Sequence, residues 1–480
     1  MTDRDKRLTL VAAILGSSVA MLDATVVNVA LPAISADLGG GLSGQQWVVN
    51  AYLLLLASLI LVGGSLGDLL GERRVFVLGV AGFGVASIAC AAAPSIEVLA
   101  GARALQGVFG ALLTPASLAI IVATFPGDER GRAIGTWTAY SGMATIAGPL
   151  VGGQLVDALD WRWIFAVNAP LVAVTLAIAT RMPVRAHGNG GRRPDWLGGA
   201  LCAAGLAGPT FGLIRQPEVG WGSPQVVLPI LAGLALFAAF VAWERRAPDP
   251  MLPLGLFRRG NFAWGNVETL SLYGGLGVVF FLLVLFLIQV GRYSALEAGM
   301  ATLPPTLVLF ALSRRFGALA DRHGPRAFMG FGPLVAAAGV LVLLVSAGER
   351  PAYWTEVLPG LLVFSLGLAV TVAPLTAAVL ADADEGNAGI ASGVNNAVAR
   401  TASLLATAAI GAVIGGTVDL DGFRMGLGFA AALMALGGVI GLAGIRNAPR
   451  REVRCEECAG GQLAGAPAAS APRGAAAPAS

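Results

Sequence analysis

The sequence predicts an all-α polytopic membrane protein whose fourteen transmembrane helices are arranged as six, two and six. Three observations predict it. Of 480 residues, 56% are hydrophobic and 12% charged, with a mean hydropathy of +0.76; soluble domains carry about 25% charged and about 45–50% apolar residues. The apolar residues come in long blocks divided by turn residues and arginines. Finally, the arginines concentrate in alternate inter-block segments. A block of about 20 apolar residues crosses the roughly 30 Å hydrocarbon core as a helix. Only helices and closed barrels satisfy their backbone there, and these blocks are too long and too uniformly apolar for barrel strands.

In order, the expected spans are 8–33, 46–67, 75–93, 97–123, 133–155, 163–180, 196–214, 225–243, 263–290, 298–316, 327–347, 356–380, 389–417 and 425–445. Arg4, Lys6 and Arg7 before the first span resemble the start of a secretory signal. That apolar run is too long, holds Asp23 and lacks a small-residue cleavage site, so it reads as a retained helix. The span at 196–214 is the least marked, being glycine-rich and ending near Gly208-Pro209-Thr210.

With the N-terminus inside, the cytoplasmic segments hold 24 of the 31 basic residues, Arg73, Arg74, Arg314, Arg315 and Arg326 among them, and the outer segments hold 5. Arg103 and Arg400 remain within spans. Cytoplasmic loops carry such an excess of Lys and Arg, so both termini are expected in the cytoplasm of a bacterial inner membrane. The loop Asp382–Glu385 is acidic although it falls inside. Cys90 and Cys202 read as small hydrophobes within spans. Cys455 and Cys458 form a C-x-x-C in an Ala/Pro/Gly/Ser-rich tail with no further ligands near, which reads as a solvated tail rather than a zinc site.

Two loops share a phrase. Gly64-Ser-Leu-Gly-Asp68-Leu-Leu-Gly71-Glu-Arg73 follows the second span, and Gly317-Ala-Leu-Ala-Asp321-Arg322-His-Gly324-Pro-Arg326 follows the tenth. Two six-helix halves with a helix pair between them place the copies at equivalent cytoplasmic turns. The glycines suit a tight turn, and the aspartates suit caps of the following helices. The expected units are residues 1–180, a two-helix insertion at 181–262, a second bundle at 263–445 and a disordered tail at 446–480.

With these phrases the sequence resembles the major facilitator superfamily, specifically its fourteen-span drug:proton antiporters. The resemblance also rests on Leu22-Asp23-Ala-Thr-Val-Val-Asn28-Val-Ala-Leu-Pro32, on Arg103-Ala-Leu-Gln106-Gly107, and on Gly135 followed by Gly148-Pro149-Leu-Val-Gly152-Gly153, which is similar to the group's antiporter signature. Trp161-Arg-Trp-Ile-Phe-Ala-Val-Asn168-Ala-Pro170 belongs with them. Leu69 and Glu72 depart from the basic residues usual in the family's loop phrase, and Ala144 replaces a usual glycine. The resemblance implies a major-facilitator fold, and a span-five signature that seals the pathway when the protein faces outward.

An ionisable residue deep in a span is expensive and marks an ion path or a paired site. At about 1.5 Å per residue, Asp23 and Arg103 lie at similar depths and are expected to pair. The functional reading makes Asp23 the carrier of the coupling proton, tuned by Arg103; the alternative is a static ion pair joining spans one and four. Glu268 and Arg400 lie in the cytoplasmic half. Glu268 reads as a second proton site, a contact for a cationic substrate, or a snorkelling carboxylate; Arg400, which long side chains could join to Glu268, reads as structural.

No G-x-x-x-x-G-K-[ST] loop occurs, so the proton gradient rather than ATP is the expected energy source, with no cofactor and no metal. The expectation is a monomeric exporter of lipophilic or amphipathic drugs whose partners are its small-molecule cargo, protons and the bilayer, without nucleic acid. A major-facilitator carrier of a siderophore, lipid or metabolite is the alternative. A membrane-embedded enzyme or receptor is disfavoured by the lack of a catalytic His/Ser/Cys cluster. One lysine beside thirty arginines points to a GC-rich bacterial gene.

Overall fold

The computed structural model describes residues 2–182, 193–381 and 388–447. Cys455, Cys458, the acidic loop Asp382–Glu385 and the tail beyond residue 447 lie outside the described residues. The described chain from its start to Arg446 forms one unit built from helices. They are α1 (Asp3–Leu38), α2 (Gly41–Leu70), α3 (Glu72–Ala91), α4 (Ile96–Thr124), α5 (Asp128–Ala158), α6 (Trp163–Ala166), α7 (Asn168–Ala179), α8 (Trp196–Val219) and α9 (Pro224–Glu244). After a short 3₁₀ turn follow α10 (Gly260–Gln289), α11 (Ala295–Ala301), α12 (Leu303–His323), α13 (Arg326–Ser346), α14 (Leu358–Ala381), α15 (Ala388–Ile414) and α16 (Leu420–Gly444). Among the described residues, twelve helices are long and apolar enough to cross a membrane. Large apolar side chains such as Val85, Leu228 and Val345 are exposed on the rim, as a hydrocarbon solvent requires.

Several boundaries differ from the hydropathy reading, each for a local reason. Helix α2 continues through Asp68, and α12 continues through Arg314, Arg315, Asp321 and Arg322, because a helix need not end where its apolar stretch does. Helix α8 passes both Pro209 and Pro217. In a membrane, neighbouring helices accommodate the backbone group a proline frees, and here a Cβ on Gly208 would lie 2.2 Å from the Pro229 carbonyl oxygen of α9. The expected sixth and tenth spans are each broken, into α6–α7 at Val167 and α11–α12 at Thr302. Pro170 follows the first break and Pro304-Pro305 the second; each lacks the N–H that would carry the helix across.

Two sets of helices repeat the same packing pairs. Contacts of α1 with α5, α2 with α4 and α3 with α4 are echoed by α10 with α15, α12 with α14 and α13 with α14. Without a hydrophobic drive between helices in lipid, such contacts depend on close approach at small residues. A Cβ on Gly63 would lie 2.1 Å from the Ala111 carbonyl oxygen, and one on Gly339 would lie 2.1 Å from the Phe364 nitrogen. Helix α8 packs on α2 of the first set and α15 of the second, with α9 against it.

The shared loop phrase makes a similar glycine turn in both sets, although not as caps. Gly71 (φ 96°) and Gly324 (φ 87°) end α2 and α12, their N–H groups donating to Gly67 O at 2.9 Å and Ala320 O at 2.8 Å. Asp68 and Asp321 lie inside those helices, and neither α3 nor α13 has a side-chain cap. The glycine makes the turn, so the expected capping role of the aspartates does not hold. Gly64 faces Pro115 of α4, and Gly317 faces Ala373 of α14. Two residues past each turn glycine an arginine reaches a helix end. Arg73 donates to Ala179 O (3.1 Å) and Thr180 O (2.8 Å), and Arg326 Nε donates to Leu442 O (2.9 Å). Arg326, rather than Arg322, is therefore the counterpart of Arg73 in position and contact.

The two glycines of the first turn should respond oppositely to alanine. Gly71→Ala forces a side chain into a backbone conformation that costs about 1–3 kcal/mol and should lower the thermal unfolding midpoint in detergent. Gly67→Ala, with nothing near its added Cβ, should leave the midpoint unchanged or raise it, since alanine favours a helix interior by about 0.5–1 kcal/mol.

Candidate functional site

The structure brings Asp23 and Arg103 together at the centre of the first helix set. Arg103 Nη1 lies 2.5 Å from Asp23 Oδ2, with Asp23 fully buried and Arg103 2% exposed. Both are buried, so the remaining donors and acceptors must be met locally. Arg103 Nε donates to Val48 O at 3.1 Å, and Nη1 also reaches Gln106 Oε1 at 2.7 Å. The guanidinium carbon stands 4.5 Å from the centre of the Tyr52 ring, a cation–π contact. Asp23 Oδ1 accepts from Gln106 Nε2 at 3.2 Å and Asn168 Nδ2 at 3.1 Å.

Three partners, Ser87, Cys90 and Asn168, were not expected at the site. Ser87 Oγ of α3 accepts from Gln106 Nε2 (2.7 Å) and Asn168 Nδ2 (3.3 Å), and Cys90 Sγ donates to Gln106 Oε1 at 3.2 Å. Cys90, read as a plain hydrophobe, is thus part of the network, whereas Cys202 packs in the apolar core. Ser87 and Cys90 share one face of α3 at i, i+3, a signal that small polar residues on an apolar helix could have provided. Asn168 opens α7 beside the break in span six, which turns its amide toward Asp23. The phrase around it fastens α1 at a second point: Trp161 Nε1 and Arg162 Nη1 both donate to Asp37 Oδ2, at 3.0 and 2.8 Å.

The candidate antiporter stretch divides between two neighbours. A Cβ on Gly148 would lie 2.0 Å from Thr25 Oγ1, and one on Gly152 would lie 2.3 Å from Val26 Cγ2, so both face α1. Gly153 faces Leu296 of α11, 2.4 Å from that residue's Cα by the same measure, and Gly299 of α11 is seated against Pro149 O. Asp157 completes this contact by accepting from the N–H groups of Ala295 (3.0 Å) and Leu296 (2.9 Å). Gly135 is exposed with open space around it and has no packing role. At the same end of the bundle Gln46 Nε2 donates to Thr407 O (2.7 Å) and Ala408 O (3.1 Å), joining α2 to α15.

Glu268 is fully buried on α10, and neither carboxylate oxygen has a hydrogen-bond partner among the described residues. It does not snorkel. Its Oε2 lies where a Cβ on Gly441 of α16 would come within 3.0 Å, with Met329 of α13 adjacent. Arg400 makes no ion pair with it: the five ion pairs among the described residues leave Arg400 out, and its Nε makes a 3.4 Å bond to Asn396 Oδ1. Nearby, Asn395 Nδ2 donates to Asn266 Oδ1 (3.2 Å) and Thr269 Oγ1 (2.8 Å), tying α15 to α10. Among the described residues no group of His, Cys, Asp and Glu is arranged to hold a metal ion.

The sequence pattern of the Major Facilitator Superfamily matches residues 13–407. The chain is 38% identical over 427 residues to a probable actinorhodin transporter of Streptomyces coelicolor, covering 86% of this chain and 73% of the relative. It is 35% identical to a puromycin resistance protein of Streptomyces alboniger, covering 90% of each, and 33% identical to a methylenomycin A resistance protein of Bacillus subtilis, covering 88% and 90%. Among solved structures, a D-xylose–proton symporter superposes with a TM-score of 0.67 at 14% identity, over 92% of this chain and 98% of that one. A peptide transporter gives 0.67 at 16% identity, over 91% and 94%; at these identities both speak to the fold alone. The chain therefore belongs to the major facilitator superfamily and is a multi-pass membrane transporter, not an enzyme.

Proposed function

We propose that this transporter exports lipophilic or amphipathic toxic compounds, antibiotics among them, in exchange for protons. The observation that carries the reading is the sealed Asp23–Arg103 pair, in a chain whose relatives are named for antibiotic transport and resistance. In this reading the chain crosses a bacterial cytoplasmic membrane fourteen times. The twelve long apolar helices are joined by α5, whose polar and glycine positions lower its hydropathy, and by the broken run Trp163–Ala179. The halves are residues 1–180 and 263–445, the insertion is 181–262, and the tail 446–480 is cytoplasmic with the N-terminus. The protein acts as a monomer, without a cofactor.

With that orientation, the contacts of Gly153, Asp157 and Gln46 with α11 and α15 close the outer end, so the structure corresponds to a state shut to the outside. Asp23 has no solvent access in it, and proton exchange requires the halves to part. A proton arriving on Asp23 removes one charge of the pair and frees Arg103 from its strongest partner. Gly148 and Gly152 seat α1 on α5 within two turns of Asp23, and α5 in turn meets α11. A shift of α1 is therefore passed to the contact between the halves, as alternating access demands. Glu268 serves as a second proton site in the other half.

The reading is tested with a panel of toxic compounds in cells with and without the gene. Accumulation of at least one lipophilic compound should fall, and an uncoupler should restore it; unchanged accumulation across a wide panel favours a siderophore, lipid or metabolite as cargo. Removing one partner of a buried ion pair costs about 3–5 kcal/mol. Asp23→Asn should therefore lower the unfolding midpoint and abolish the uncoupler-sensitive export, while full proton-driven export by this variant would reduce the pair to a structural strut. Glu268→Gln should lower proton-driven export several-fold at an unchanged midpoint. The opposite pattern, a lowered midpoint with intact export, assigns Glu268 to packing.

A further inference from the structure

The second half holds a cation, Arg400, that makes no ion pair among the described residues. Arg400 is the thirteenth residue of the 27-residue α15, at mid-length rather than near an end from which an arginine could snorkel. Its position on the helix is fixed by its neighbours. Gly393 meets Leu61 of α2, and the carbonyl oxygens of Thr407 and Ala408 accept from Gln46 of α2. Residues 393, 400, 404, 407 and 411 recur every three, four or seven positions and share one face. Arg400 therefore stands in the middle of the α15 face turned to α2, the seam between the halves.

Its surroundings are polar and aromatic, and no acid pairs with it among the described residues. The hydroxyl groups of Tyr52 on α2 and Tyr273 on α10 lie within electrostatic reach of its charge. Ser403, three residues on, donates to Tyr273 O at 3.2 Å, which brings α10 against this part of α15. Asp23 is taken by Arg103, and Glu268 faces Gly441 and Met329. The long bond to Asn396 is the one hydrogen bond the guanidinium makes among the described residues, and the side chain is only partly buried. One turn of α2 away from Gln46, Asn50 is fully buried with neither amide atom partnered, on the same seam. An unpaired cation at membrane depth is expensive. A guanidinium without an acid beside it can be matched by a planar anion through two parallel N–H···O bonds.

We propose that Arg400 is the cargo-binding cation of this transporter, pairing with the carboxylate or phenolate oxygens of a lipophilic aromatic acid whose rings lie against Tyr273. This rests on the export reading for its biological sense but not for its test. The probe is 9-anthracenecarboxylate, compared with its uncharged carboxamide on the purified full-length protein in detergent. The carboxylate should raise the unfolding midpoint at concentrations at least ten-fold below those the amide needs. Arg400→Gln should erase that preference by weakening the carboxylate alone, and Arg400→Lys should keep part of it.

An equal response to acid and amide in the unaltered protein, or no response to either up to several millimolar, overturns the proposal. So does Arg400→Gln with the preference intact, or with both probes weakened alike. Should Arg400→Gln not survive purification, the acid-over-amide ratio of the unaltered protein and of Arg400→Lys decides, and a ratio below three-fold in the former overturns it. Proteoliposomes with an imposed proton gradient separate the two readings. Arg400-dependent binding of the carboxylate without its transport leaves the site standing and removes proton-driven export of such acids.

Discussion

A charge taken into hydrocarbon must be matched, and the first half of this protein is organised around one such match. At the centre of a span a charged residue costs about 2.5–3.5 kcal/mol even on the mildest scale, so Asp23 and Arg103 each need the other. Pairing alone leaves lone pairs and N–H groups unmet. The protein meets them from α2 through Val48 and Tyr52, from α3 through Ser87 and Cys90, from α4 through Gln106 and from α7 through Asn168. The ion pair thus determines where the neighbouring helices must place polar atoms, and the break before α7 follows from that demand as much as from Pro170.

The other constraint is steric. Helices in lipid gain nothing from hiding apolar surface from one another, so their contacts depend on how closely backbones approach. The stretch Gly148–Gly153 uses helical periodicity to serve two neighbours at once. Positions 148 and 152, four apart, face α1, whereas 149 and 153, one step round the helix, face α11. A short phrase therefore links the helix that carries Asp23 to the opposite half. Gly135 belongs to the same sequence resemblance yet touches nothing; its place in the pattern is not explained by packing in this state.

What the sequence made legible follows from which costs are large. Apolar blocks located the helices, because a backbone in lipid has few alternatives. Their ends were not legible where helices leave the bilayer and continue, as α2 does through Asp68 and α12 through Arg322. Asp23 and Arg103 stood out because a buried charge is rare. Ser87, Cys90 and Asn168 did not, because a neutral polar group inside a span is a weaker signal than a charge, and only its spacing on the helix face could have marked it. A depth estimate for Glu268 does not give its azimuth. Its burial depends on facing Gly441 and Met329 rather than lipid. The loop aspartates were misread as caps because the positive φ of Gly71 and Gly324 already makes the turn.

The two halves share a backbone plan down to the turn glycine and the arginine two residues beyond it, yet they spend polar residues differently. In the first half the Asp23–Arg103 pair is met internally, by side chains and one backbone carbonyl. In the second, among the described residues, Glu268 has no hydrogen-bond donor and Arg400 has no acid. A repeat that merely stabilised the fold would have no reason to leave either group unmatched, given the cost of doing so. Complete matching on one side of the seam and incomplete matching on the other is the chief chemical difference between the two halves among the described residues.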